Sequence, residues 1–297
     1  MVGGFSARHK VQRVLVAFLV CGIIIGAPIL SFIQIGRIFG VGNGRAAVKV
    51  PAMHSRSVDE SAQPVRLFGQ PLISITFDDG WESSYTTALP LLQKYGIHTT
   101  QYVLSGTEKD PLYLSWAQIT SIQKAGHEIA CHSDTHPDLT TLDGEDLRKQ
   151  LLDCRQKLES RYGAITDFAS PYGSADDRTR AAIMEYFSSQ RNTNGDPTNG
   201  VTDVDVNLAK NFDPGNIIGV TVHNDTTIKQ LQDLVSYAES HNGWLVVTYH
   251  QADDDTSNYS LDAKKLDAQL KYLSSTPVRI VTVTGALQSL QLQGVEY

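Results

Sequence analysis

The sequence predicts an α/β fold with a mainly parallel sheet, because strand-like apolar runs alternate with helix-like runs from residue 71 to the end. Seven or eight such units fit into about 220 residues, the density of a closed or nearly closed β/α barrel; an open doubly wound sheet is the alternative. Neither a G-x-G-x-x-G after a strand nor a P-loop occurs, so a nucleotide site is not indicated.

Each unit has its own local reason. "LISITF" (72–77) reads as a buried strand, and "SSYTTALPLLQKYG" (83–96) as a helix that stops at Gly96. "HTTQYVL" (98–104) is a strand and "WAQITSIQKAG" (116–126) a helix ending at Gly126. "HEIAC" (127–131) is a short strand. "DGEDLRKQLLDCRQKLESRYG" (143–163) is a helix with acids early and bases late, as the helix dipole favours. "TDFAS" (166–170), "SSQRNT" (188–193), "NIIGVTV" (216–222) and "WLVVTYH" (244–250) are strands. The helices "ADDRTRAAIMEYF" (175–187), "TIKQLQDLVSYAESHNG" (227–243) and "LDAKKLDAQLKYLSS" (261–275) separate or follow them, and "VRIVTV" (278–283) reads as a last strand.

The N-terminus is of another kind. Residues 14–36 carry no charge and are apolar almost throughout, long enough to cross a bilayer as a helix. Pro28 follows Ala27 and no clean cleavage site appears, so an uncleaved signal anchor is expected over a cleaved signal peptide. The expected organisation is a short tail (1–13), a transmembrane signal anchor (14–36), a linker rich in Gly and Pro (37–70) and the barrel (71–290). Basic residues flank the apolar segment on both sides, so charge barely decides its orientation. The chain of 297 residues has a formal net charge of −7 and no basic stripe, which disfavours a nucleic-acid partner. Of three cysteines, Cys21 lies in the apolar segment; Cys131 and Cys154 could pair if the domain is exported, or remain two buried thiols.

Polar residues gather just after the strands. Asp78 and Asp79 follow the first, His132 and His136 the third, "SPYG" (170–173) the fourth, and His250 the seventh. In a β/α barrel the C-terminal strand ends form the active-site face. The Asp-Asp-Gly could be only a turn, and the histidines only loop residues. Four residues apart in a helical turn, however, His132 and His136 would share one face and reach one metal. One added carboxylate gives a His₂Asp site with open positions, the catalytic form of a zinc site.

With "TFDDG", "HSDTH", "SPYG" and "WLVVTYH" in this order, the chain resembles the polysaccharide deacetylases of carbohydrate esterase family 4 over residues 71–285. The resemblance implies a distorted (β/α)7-type barrel and metal-dependent removal of acetyl groups from sugars. It implies one divalent ion, zinc first, with cobalt or nickel as alternatives, held by Asp79, His132 and His136. Asp78 would be the general base, His250 the general acid, and Tyr172 would offer its backbone N–H to the oxyanion. The implied partner is an acetylated cell-wall or surface polysaccharide, which puts the catalytic domain outside the plasma membrane on a single-pass anchor, or secreted if the anchor is cleaved. An O-acetyl (xylan-type) esterase and a catalytically impaired glycan-binding module are the alternatives.

Two departures stand out. The family's third motif begins with an arginine that tethers the base, and here that position is Ala169; Arg191, after the fifth strand, is the expected replacement, with a surface arginine as the alternative. The family's Asp-x-x-Asp-Trp run has no match, and residues 196–207 with three aspartates receive no role. Trp81 could stack on a sugar ring or serve as a core or rim residue. Residues 253–255 read as a solvated acidic loop. His98 and His127 sit at strand starts, away from the expected chemistry, and read as structural.

Overall fold

The structure is a computed structural model that describes residues 69–253 and 256–291. Seven parallel strands form a closed ring: β1 (Leu72–Phe77), β2 (Thr100–Val103), β3 (Glu128–Cys131), β4 (Asp167–Ala169), β5 (Ser189–Gly195), β6 (Ile217–Thr221) and β7 (Trp244–Tyr249). Each pairs with the next, and β1 pairs with both β7 and β2, which closes the barrel and excludes the open doubly wound sheet.

The seam between β1 and β2 is split along its length. At the upper end Thr76 and Phe77 pair with Thr100 and Gln101. At the lower end Leu72 and Ile73 pair instead with Arg279 and Ile280, a two-residue strand β8 (Arg279–Ile280). The run expected as a six-residue final strand is therefore mostly not strand. After Ile280 the chain turns into helix α7 (Val283–Gln291). Its Val283, Ala286, Leu287 and Leu290 are buried against Leu72, Tyr102, Ala130 and Trp244 at the foot of the barrel interior. The spacing i, i+3, i+4, i+7 explains why helix wins there.

The other helices lie outside the ring: α1 (Leu89–Tyr95), α2 (Trp116–Lys124), α3 (Gly144–Tyr162), α4 (Asp177–Met184), α5 (Ile228–His241) and α6 (Ala263–Ser275). The helix expected from residue 83 opens instead as a π turn over Ser84–Ala88 before α1. Local caps set the other starts: Ser115 and Thr227 each form a capping box with a glutamine three residues on. Along β1, Ile73, Ile75 and Phe77 face the helices, while Leu72, Ser74 and Thr76 alternate with them. Ser74 accepts from the Trp244 indole, and Thr76 donates to Thr248 on the neighbouring β7. Period-2 alternation thus puts Asp78 on the interior parity of β1, level with His250 beyond β7.

The floor holds a second polar layer. Thr284 Oγ1 lies 2.5 Å from Glu128 Oε1 and 2.5 Å from Asp167 Oδ2. One hydroxyl proton cannot serve two carboxylates, so one carboxyl keeps its own proton. Burial, then the charge of Asp167, pushes Glu128 up to about 8 and identifies it as the protonated member. His127, also near the floor, hydrogen-bonds Thr99 through Nδ1, and burial lowers it to about 4; it and the neighbouring His98 lie away from the upper rim, as the sequence suggested.

Cys131 and Cys154 form a disulfide between the end of β3 and the middle of α3. Both are fully buried. The tail, the apolar segment 14–36 and the linker up to residue 68 lie outside the described residues, as do Asp254 and Asp255 of the acidic loop. Among the described residues no helix is long and apolar enough to cross a membrane.

Candidate metal centre and active site

The upper rim encloses a cavity of about 650 Å³, lined among others by Asp78, Asp79, His132, His136, Tyr172 and His250. All six are site residues expected from the strand ends, and the fold brings them together.

Asp79, His132 and His136 form the one three-residue cluster able to hold a metal ion among the described residues. Asp79 Oδ1 is 3.3 Å from His132 Nε2 and 3.2 Å from His136 Nε2. His132 Nδ1 sits 2.9 Å from the Ala169 carbonyl, which can only accept, so that nitrogen carries the proton. Nε2 of the neutral imidazole then presents a lone pair to Asp79 Oδ1, itself buried and without a hydrogen-bond donor. Lone pairs converging at such distances repel unless a cation lies among them, so this donor set fits a divalent ion.

The histidine pair does not sit on a helical turn, as the spacing suggested. Residues 132–136 form an irregular loop in which Ser133 (φ 70°) and His136 (φ 64°) are both left-handed. Ser133 Oγ accepts the His136 N–H at 3.0 Å and closes the loop. One face of α3 grips it. Gln150 Oε1 accepts the N–H groups of Asp134 and Thr135, Cys154 is bonded to Cys131, and Lys157 pairs with Asp134. Asp79 (φ 69°) and Tyr172 (φ 60°) are left-handed as well. Non-glycine residues so constrained cost about 1–3 kcal/mol each and gather where geometry is over-determined.

Asp78 is held differently. Arg191 Nη2 donates to Asp78 Oδ2 at 2.5 Å, and both side chains are buried, at 0% and 3% exposure. Arg191 lies within β5 rather than after it, beside Ala169 in the β4–β5 register, so the guanidinium arrives from the neighbouring strand at the level of the missing arginine. It crosses the interior over the Tyr102 ring, 5.1 Å from the centroid. Gly219 makes room: a Cβ there would stand 2.6 Å from Arg191 Cδ. Asp78 Oδ1 stays without a partner and lines the cavity. His250 Nε2 lies 3.9 Å from Asp78 Oδ2. Burial lowers the His250 imidazole below its ordinary value, against the opposing pull of Asp78 and Asp79.

Tyr172 stands in a 3-10 turn (Pro171–Gly173), its ring 4.5 Å from that of His136 and 68% exposed. Trp81 turns back and donates its indole N–H to Asp79 Oδ2 at 2.9 Å. Tyr259, which the sequence reading passed over, stands beside both His250 and His223 with ring centroids 5.2 Å away in each case. No local pattern marks it; only its place in the loop after β7 does. Asp196 caps a 3-10 turn and lines the cavity, whereas Asp205 is buried on Thr202.

Residues 67–186 match the family model described as polysaccharide deacetylase. A bifunctional xylanase/deacetylase from Pseudobutyrivibrio xylanivorans is 30% identical over 127 residues, 42% of this chain and 20% of the relative. A chitooligosaccharide deacetylase from Sinorhizobium fredii is 30% identical over 108 residues, 35% of this chain and 48% of the relative. The chain thus spans half or less of these relatives' length. The CE4 domain of a multidomain xylanase from the hindgut metagenome of Trinervitermes trinervoides shares the fold, with a TM-score of 0.53, 16% identity, 76% of this chain and 93% of that domain covered.

Proposed function

Residues 67–186 match the polysaccharide deacetylase family model, and from that likeness we propose that the chain is a metal-dependent hydrolase removing N-acetyl groups from a cell-wall or surface polysaccharide. The observation that carries the proposal is the division between the two adjacent aspartates. Asp79 turns a donor-free oxygen toward two histidine nitrogens, while Asp78 is pinned at one oxygen by Arg191 and free at the other.

Asp79, His132 and His136 would hold the divalent ion, zinc first, which supplies polarisation of the amide carbonyl and acidification of a water. Asp78 Oδ1 takes the proton of the attacking water, and Arg191 keeps the carboxylate turned toward it. The Tyr172 N–H stabilises the developing oxyanion. His250, 3.9 Å from Asp78, protonates the departing amine from its imidazolium form; burial makes that form a stronger acid while reducing its share at neutral pH.

The charge-free segment 14–36 supports a single-pass anchor with the barrel outside the plasma membrane. The Cys131–Cys154 bond suits the same oxidising location. An O-acetyl ester of xylan is the second reading, favoured by the relative that joins a xylanase to a deacetylase. The deciding experiment is metal analysis of the purified chain followed by acetate release from N-acetylated chitin-type and peptidoglycan oligomers and from O-acetylated xylan oligomers. Acetate from the N-acetylated oligomers supports the proposal. Acetate from xylan alone replaces it with the second reading, and glycan binding without acetate under saturating zinc or cobalt makes the chain a binding module.

A further inference from the structure

Asp79 has two oxygens, and the fold treats them differently. Oδ1 faces the two histidines and has no donor. Oδ2 accepts the Trp81 indole N–H at 2.9 Å. The indole reaches back because Asp79 and Gly80 are consecutive left-handed residues, with φ of 69° and 71°, which reverse the chain at once. It is then fixed from the other side. Its ring stacks on Tyr113 with centroids 4.8 Å apart and planes at 20°, and residues 81 and 113 form a backbone bridge. Hydrogen bonds from Leu114 N to Gly80 O (2.7 Å) and from Glu82 N to Leu112 O (2.9 Å) pin the two segments on either side of that bridge.

An indole nitrogen only donates. The oxygen it holds is therefore partly neutralised and turned away, and the carboxylate cannot rotate to offer both oxygens to a cation without losing a hydrogen bond. We propose that Trp81 is a positioning residue that restricts Asp79 to one-oxygen ligation, raising metal affinity and keeping a coordination position open for water and substrate. The inference rests on the metal-dependent reading of the site. It also gives Trp81 a different task from sugar stacking: its N–H, rather than its ring face, does the work.

The test compares the full chain with Trp81→Phe, which keeps the ring, and Trp81→Leu, which removes it. Zinc dissociation constants are measured by chelator competition, and the cobalt-substituted proteins by visible absorption; circular dichroism and Tm check folding. The expected result is a loss of zinc affinity of about tenfold or more in both variants, as for other outer-shell partners of metal ligands. The cobalt bands should weaken as Asp79 turns its second oxygen inward and the coordination number rises. A Trp81→Phe chain with zinc affinity within about twofold of wild type and an unchanged cobalt spectrum overturns the inference. So does loss confined to Trp81→Leu, since packing would then explain it. A wild-type chain that binds neither zinc nor cobalt overturns the metal reading itself, a distinct failure seen before any variant is made.

Discussion

Arg191→Met replaces a buried guanidinium by an uncharged chain of similar reach. The ion pair with Asp78 is 2.5 Å long, with its partners at 0% and 3% exposure, so water screens it little. Removing one member of a buried pair strands the other and costs about 3–5 kcal/mol. Asp78→Asn alone strands the arginine, at a similar cost. The double variant strands neither charge, and its cost should fall well below the sum of the singles, giving a coupling energy of about 3 kcal/mol or more. Coulomb attraction at an effective dielectric near 20, roughly 4 kcal/mol at 4 Å, agrees in size. Urea unfolding of the four proteins, at fixed pH with saturating zinc, measures the cycle. Additivity within about 0.5 kcal/mol would show that the contact does not hold Asp78, and the account of the base would fall with it.

Asp78→Asn should abolish acetate release while leaving metal content near wild type, and His132→Ala should lose both; equal metal loss in the two would end the division of roles between Asp78 and Asp79. Glu128 binds a proton in the folded state up to about pH 8, whereas unfolded glutamate releases it near its ordinary 4.5. Between those limits the folded form holds more protons, so stability falls as pH rises through that window and levels above it, by a few kcal/mol in all. Glu128→Gln, which supplies the donor without a charge, should flatten the decline, and an unchanged slope of Tm against pH would refute the proton assignment. Reducing the Cys131–Cys154 bond, or replacing both residues by alanine, should cost about 3 kcal/mol in chemical denaturation. It should also weaken zinc binding, because Cys131 adjoins His132; stability loss with unchanged zinc affinity would confine the bond to the fold.

The strand ends were legible because side-chain type and order sufficed. Asp78, His132, Arg191 and His250 lie on the interior parity or at the upper ends of their strands, and counting by twos from the apolar residues finds them. Arg191 could be suspected from the alanine at 169, but its adjacency depends on the β4–β5 register, which is non-local. The π turn, the left-handed loop at 132–136 and the Trp81 hydrogen bond follow from tertiary packing that overrides local preference. The final helix was readable, since Val283, Ala286, Leu287 and Leu290 keep helical spacing, but the alternating run just before it looked like a longer strand.

The split seam has a consequence for how the molecule comes into being. A chain emerges from its amino end, and every residue assigned here to metal or proton chemistry has been made by His250. The lower half of the ring still lacks β8 and the covering helix, which arrive only with residues 279–291. Until then Leu72 and Ile73 have no strand on that side, and Glu128 has no Thr284. The chemistry is written early and its enclosure last, so a fragment ending after α6 would carry every residue of the site without the floor that holds them in place.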